Sequence, residues 1–291
     1  MQTALLSVLG FAFFYGLTTV LQQIMVRTSI DPIHLNYLTY LTGSVIIFIY
    51  LIFRDKKSLT TLKPKSWWYG SWVGISGSII ADLSVLIGLT LSSSINWGIL
   101  SRLSIFGTFF LSVLFLKEKI TKNKILAAFI SFIGATLVVY NIKSGITFNF
   151  GDLLFLIGML GFSVSNVLNQ KAFQYATTSQ LVFIRFVITS LIMGIIVFLF
   201  HPIQNINQWP FIIFNAITYV IGISLVNITI QKGGATFFAI GSNLVVVVIA
   251  LLSIFILKEI PSIFQILGAT LIVGSVFIFQ KGTKIVKAKN Q

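Results

Sequence analysis

Three ionisable residues stand inside long apolar runs, where charge needs a partner or a wet cavity. They are Asp82 in Ile80-Ala81-Asp82-Leu83, Arg102 behind Ser101, and Arg185 in Ile184-Arg185-Phe186. A carboxylate can take up a proton or hold an organic amine, and a guanidinium can clasp a carboxylate. Of six acidic residues, Asp82 alone lies well inside such a run, which makes it the candidate for proton coupling. Asp82 and Arg102 flank one short hairpin. Three readings stay open for them: an ion pair that holds the hairpin, separate ligands for a solute, or side chains that snorkel to lipid headgroups. Arg185 falls about one turn from the end of its run, from where a guanidinium reaches headgroups.

Uncharged polar residues gather in the same runs. Thr18, Thr19, Gln22 and Gln23 occupy the first run, and Ser163, Ser165, Asn166, Asn169 and Gln170 the sixth. Asn166, Asn169 and Gln170 share a face by their i, i+3, i+4 spacing. Such amides either line a pocket or bond neighbouring helices. Tyr15, Tyr37, Tyr40, Trp72, Trp97 and Tyr219 could form an aromatic wall, whereas Trp67, Trp68 and Trp209 sit at run ends as interfacial anchors. Gly70, Gly74 and Gly77 put small residues on one helix face, which permits close helix approach.

Other chemistry is poorly served. There is no cysteine, and the only two histidines, His34 and His201, fall in loops far apart in sequence, so no metal site and no cofactor is expected. HExxH and GxSxG patterns are absent, and no histidine lies in an apolar run, so the chain is not expected to be an enzyme.

The elements that must position these residues follow from composition. Of 291 residues, 56% are hydrophobic and 9% charged, and the mean hydropathy is +0.99. A soluble domain carries about 25% charged residues, so most of this surface must face a bilayer. Ten runs of spanning length are expected, near 3–26, 33–53, 67–91, 97–116, 125–141, 152–172, 181–200, 211–231, 236–257 and 263–280. The first run lacks a basic leader and a small-residue cleavage site, so it is expected to be retained. The net charge of +14 comes from lysines and arginines clustered in alternate gaps and in the C-terminal segment. That pattern indicates both termini on the cytoplasmic side of the cell membrane, not nucleic-acid binding.

The chain also repeats itself. Leu116-Lys117-Glu118 ends the fourth run and Leu257-Lys258-Glu259 the ninth, 141 residues later. Each is followed by a run containing Gly-Ala-Thr, at Gly134-Ala135-Thr136 and Gly268-Ala269-Thr270. The same offset sets Ser101 against Ser242 and Arg102 against Asn243. Five is an odd number of crossings, so the second half must insert upside down. The loops agree: the gap after the second run is rich in lysine, and residues 201–208 after the seventh have none. An inverted repeat offers two near-equivalent packings of one scaffold, which suits alternating access.

These halves, the paired segments Phe115-Leu116-Lys117-Glu118-Lys119-Ile120-Thr121 and Ile256-Leu257-Lys258-Glu259, Tyr15-Gly16, and Asp31-Pro32 resemble the drug/metabolite transporter superfamily, in particular its EamA-type members. The resemblance covers nearly the whole length. It implies ten helices and a central cavity between the halves. It also implies export or exchange of amino acids, related metabolites or nucleotide-linked solutes. The sequence departs from that family where Ser101–Phe106 and Ser242–Val247 hold no proline, and where Thr39 stands in the second helix opposite Arg185 in the seventh.

The expectation is an all-α integral membrane protein of ten transmembrane helices, built as two inverted five-helix repeats over 1–143 and 150–291, as monomer or homodimer. It would export or exchange a small organic metabolite such as an amino acid by alternating access, or else flip a lipid-linked polar headgroup. Expected substrate contacts are Tyr15, Gln22, Tyr40, Asp82, Trp97, Ser101, Arg102, Asn166, Asn169, Tyr219, Ser242 and Asn243.

Overall fold

In the computed structural model of the chain, the described residues are 2–27, 30–92, 96–97, 100–119, 121–139, 149–201, 208–248, 251 and 262–289. They form helices throughout. The first half holds α1 (Gln2–Arg27), α2 (Pro32–Arg54), a continuous third helix α3 (Pro64–Gly74, Ile75–Leu83, Ser84–Leu91), α4 (Ser101–Leu116) and α5 (Lys122–Val139). The second holds α6 (Phe150–Ala172), α7 (Thr178–Phe200), α8 (Trp209–Gly233), α9 (Ala235–Val248) and α10 (Ile263–Lys289). Among these, α1, α2, α3, α6, α7, α8 and α10 are long and apolar enough to cross a membrane, while α4 and α9 are apolar but shorter. The expected ninth run extended to residue 257, and its part beyond 251 lies outside the described residues.

Local chemistry sets several helix starts. Asp31 caps α2, its Oδ1 accepting the Ile33 and His34 N–H groups at 2.8 and 3.1 Å, with Pro32 in the first helical turn. Asn149 with Asp152 and Thr177 with Gln180 form reciprocal capping boxes at the starts of α6 and α7. The two helices therefore begin two and three residues earlier than the apolar runs suggest, because polar caps precede those runs.

The packing carries the inverted symmetry. α5 lies on α10, α2 on α7, and α4 on α9, so each of these helices meets its own counterpart. The remaining contacts exchange under the same operation: α1 packs on α8 as α6 packs on α3. At the α5–α10 crossing a Cβ on Gly134 would lie 2.7 Å from the Gly268 carbonyl oxygen, and one on Gly268 would meet the Gly134 carbonyl. The shared Gly-Ala-Thr sequence is thus the place where the halves touch backbone to backbone. Large apolar side chains such as Phe53, Phe198 and Phe200 are the most exposed of their kind, as a lipid-facing wall requires.

The Leu-Lys-Glu motif has a structural job in the first half. Lys117 takes a left-handed backbone conformation that ends α4, and the Glu118 N–H bonds back to Ser112. The Glu118 carboxylate then pairs with Lys124 on α5 and accepts the Thr236 hydroxyl of α9 at 2.6 Å. Its partner motif at Lys258-Glu259 lies outside the described residues.

Candidate substrate site

The middle of α3 is a π-helical segment, Ile75–Leu83. A π turn inserts an extra residue per bulge and rotates everything after it, and such segments mark functional positions in many helices. Here it carries Asp82. The carboxylate does not meet Arg102. Instead its Oδ2 accepts the Tyr40 hydroxyl of α2 at 2.7 Å and the Tyr219 hydroxyl of α8 at 2.9 Å. The two hydroxyls are themselves 2.8 Å apart. Three oxygens thus form a closed triangle, and two phenols bring only two protons to its three edges. With Asp82 ionised, both phenols donate to Oδ2 and the third edge is an unbridged oxygen pair. With a proton on Asp82, every edge can hold a hydrogen. The triangle therefore distinguishes the two protonation states by its own donor count.

Arg185 was expected at the headgroups. It lies two turns into α7, is 5% exposed, and donates from Nε to Ser78 Oγ of the π segment at 2.8 Å. Its charge faces Tyr40, Tyr219 and Asp82. A Cβ on Gly74 would lie 3.3 Å from the Arg185 carbonyl oxygen and one on Gly70 2.7 Å from Ile184 Cγ2, while one on Gly77 would run into Ser165 of α6, so the small-residue face lets α3 pack closely on both α7 and α6. On the facing side, Asn215 Nδ2 of α8 donates to Thr39 Oγ1 of α2 at 2.9 Å, Thr39 being the residue that the sequence sets opposite Arg185.

A second centre lies where α4 meets α9. Arg102 donates to Asn243 Oδ1 at 2.7 Å, and Asn243, 1% exposed, donates in turn to Ser131 Oγ on α5 at 2.8 Å. Residues matched by the repeat offset are thus bonded to each other across the two halves. Both helices are interrupted there. Ser101–Leu103 forms a 3₁₀ turn at the start of α4, and Ser242-Asn243 is a turn within α9. The breaks occur with no proline. Discontinuous helices at the meeting of inverted repeats expose backbone polar groups where a solute can use them. Tyr15 of α1 joins the centres: its ring is 6.1 Å from that of Tyr219, and it lies within electrostatic reach of Asp82, Arg185 and Arg102. Tyr40 and Phe186, on the paired helices α2 and α7, close the wall with ring centroids 5.0 Å apart.

Other expected contacts lie elsewhere. Trp97 packs at a tilt against Phe155 and Phe162 of α6, with ring centroids 5.3 and 6.4 Å away. Asn166 donates to Thr108 of α4 at 3.3 Å, Asn169 donates to Asn227 of α8, and Gln170 Oε1 accepts the Ala235 N–H at the start of α9. These amides bond helix to helix. Gln22 is half-buried on α1, about 10 Å along the helix from Tyr15. Ser242 Oγ bonds its own helix at the Ala239 carbonyl, and Ser101 is half-buried beside Arg102. A groove of about 510 Å³ between α2 and α7, lined by Tyr37, Leu41, Ser190, Gly194 and Phe198, opens on the outer wall and shares no residue with the two centres.

Sequence reasoning missed three things. Ser78 and Ser131 support the arginine and the asparagine. Asp152, buried at the first turn of α6, accepts from Ser92 at 2.6 Å and from Asn96 at 3.0 Å, fastening the α3–α4 connection to α6. And His34 and His201, far apart in sequence and both expected in loops, have ring centroids 5.9 Å apart, with His34 in the first turn of α2.

A bundle of apolar helices in two inverted halves, with charged and aromatic side chains meeting between them, defines the class: a membrane transporter. Residues 2–140 and 149–280 match the EamA-like transporter family, and the chain belongs to that family. It is 27% identical over 276 residues to the uncharacterized transporter YyaM of Bacillus subtilis (strain 168), covering 91% of this chain and 89% of that protein. A crystal structure 18% identical in sequence has the same fold, with a TM-score of 0.82 over 98% of this chain and 99% of that one.

Proposed function

We propose that the protein carries a small carboxylate-bearing metabolite, of amino-acid type, across the cell membrane in exchange with or alongside a proton. The reading rests on one observation: between the halves, Asp82 is held by the phenols of Tyr40 and Tyr219, Arg185 is buried on the neighbouring α7, and Arg102 stands at the break in α4 bonded to Asn243. Arg102 and Arg185 offer guanidiniums and Asp82 a carboxylate, the groups that engage the two ends of a zwitterionic solute. Arg102, at the helix interruption of α4, takes the solute carboxylate. Asp82 takes the proton, and in its ionised form a substrate amine. The halves rock about the α5–α10 and α4–α9 contacts to expose the site to either side.

The test is counterflow in proteoliposomes loaded with unlabelled amino acids, with an imposed pH gradient. Accumulation of labelled amino acid that responds to the gradient, and loses that response in Asp82→Asn while Tyr37→Phe on the outer wall keeps it, supports the reading. Uptake that is indifferent to the gradient and to Asp82→Asn removes Asp82 from the mechanism. Lipid-linked headgroups that move where free metabolites do not would replace the carrier with a flippase.

A further inference from the structure

We infer that Asp31, His34 and His201 form a binding site for a divalent transition metal of the zinc type at the end of the bundle away from the lysine-rich loops. The three residues come from two helices. Asp31 and His34 open α2, and His201 closes α7. Because α2 and α7 are an antiparallel pair, the start of one lies beside the end of the other, and residues 167 apart in sequence are brought together.

The three side chains each offer one ligand atom, and these atoms all lie within 4.8 Å of one another. Tetrahedral coordination with bonds of about 2.0–2.2 Å sets ligand atoms about 3.3 Å apart. A contraction of about 1.5 Å at most, within the reach of a residue at a helix end, closes the site around an ion. Asp31 Oδ1 lies 3.3 Å from His34 Nδ1, already the separation of neighbouring ligands in a tetrahedral shell. The second observation is at the other ring nitrogen. His34 is 5% exposed, and its Nε2 is buried with no hydrogen-bond partner. No protein group therefore holds the far edge of the ring, and coordination through Nδ1 displaces only the Asp31 hydrogen bond.

The donor set decides the class of ion. Two imidazoles and one carboxylate suit zinc, cobalt or nickel, while calcium and magnesium seek oxygen-rich shells. A bound ion would tie α2 to α7 at this end. At the opposite end the same pair is joined by Gln180 bonding the Ser58 carbonyl at 2.8 Å.

The experiment uses the full-length protein purified without a polyhistidine tag, stripped with chelator and titrated with Co²⁺, then with Zn²⁺ in competition. One Co²⁺ per chain with tetrahedral visible absorption, displaced by Zn²⁺, is expected. His201→Gln, a half-buried position that should leave the fold intact, should weaken binding at least tenfold. Asp31→Asn keeps the helix cap, since asparagine caps as well as aspartate, but removes the anionic ligand and should weaken binding at least tenfold. Absence of stoichiometric binding to the wild-type protein, or affinity unchanged in both variants, overturns the inference. The readout is independent of transport, so it stands or falls apart from the carrier proposal.

Discussion

Removing the Tyr219 hydroxyl probes the phenol–carboxylate triangle directly. Suppose Asp82 is ionised. Tyr219→Phe then removes one hydrogen bond to a charged acceptor, about 1.5–3 kcal/mol. Tyr40→Phe does the same, and each single change also relieves the unbridged 2.8 Å oxygen pair. The double variant relieves that pair only once, so its cost equals or exceeds the sum of the singles. Suppose instead that Asp82 carries a proton. Each phenylalanine then removes two neutral edges of about 0.5–1.5 kcal/mol apiece, while the double variant removes three edges and not four. Its cost falls short of the sum by one edge. The sign of the coupling energy therefore reports the proton on Asp82. Unfolding of the four proteins in detergent, at neutral and at mildly acidic pH, measures it. A coupling that moves from zero or positive towards negative on acidification is expected. Single variants within about 0.5 kcal/mol of wild type, the range of inconsequential surface changes, would refute the reasoning. So would strict additivity at both pH values.

Other predictions follow from the same geometry. Arg185→Gln should destabilise the protein by about 1.5–3 kcal/mol, the cost of losing a buried hydrogen bond made by a charged group, whereas a headgroup-facing arginine would tolerate the change; thermal unfolding separates these. Gly134→Ala places a methyl against the Gly268 carbonyl and should cost about 1–3 kcal/mol through overpacking, read as a fall in Tm with secondary structure retained. Asn243→Ala should reduce solute affinity along with that of Arg102→Gln, and the double variant should add little, because the two side chains share one hydrogen bond. Burial of Asp31 favours its neutral form, but hydrogen bonds from His34 and Ile33 outweigh that and hold its carboxyl below the usual range. Its contribution to stability is thus complete above the unfolded value and is lost as pH falls through the lower folded one; Asp31→Ala should flatten the acid limb of the stability profile and cost about 1 kcal/mol near neutrality.

The helices and their inverted pairing were legible because apolar length, loop charge and the Leu-Lys-Glu and Gly-Ala-Thr repeats all survive in sequence. The Arg102–Asn243 centre was legible as a repeat offset, and the structure turned that offset into a hydrogen bond. Asp82 was legible as a site residue but its partners were not. Counting α-helical rise along the α3–α4 hairpin brings it towards Arg102, while the π segment rotates it to Tyr40 and Tyr219. Arg185 was misplaced because the seventh run was started at Leu181. The Thr177–Gln180 capping box begins the helix at Thr178 and sets the arginine deeper. The histidine pair left no local signal at all, since only the antiparallel pairing of α2 with α7 brings its members together.

The most direct test of the carrier is ligand binding to the detergent-purified protein by thermal shift, across amino acids, polyamines, nucleosides and sugar nucleotides. A ligand bound only by the folded state raises its stability. Stabilisation by carboxylate-bearing amino acids, lost in Arg102→Gln and reduced in Asp82→Asn proteins that remain folded, is the predicted result. Stabilisation by polyamines alone, or by amino acids equally in wild type and both variants, would contradict it.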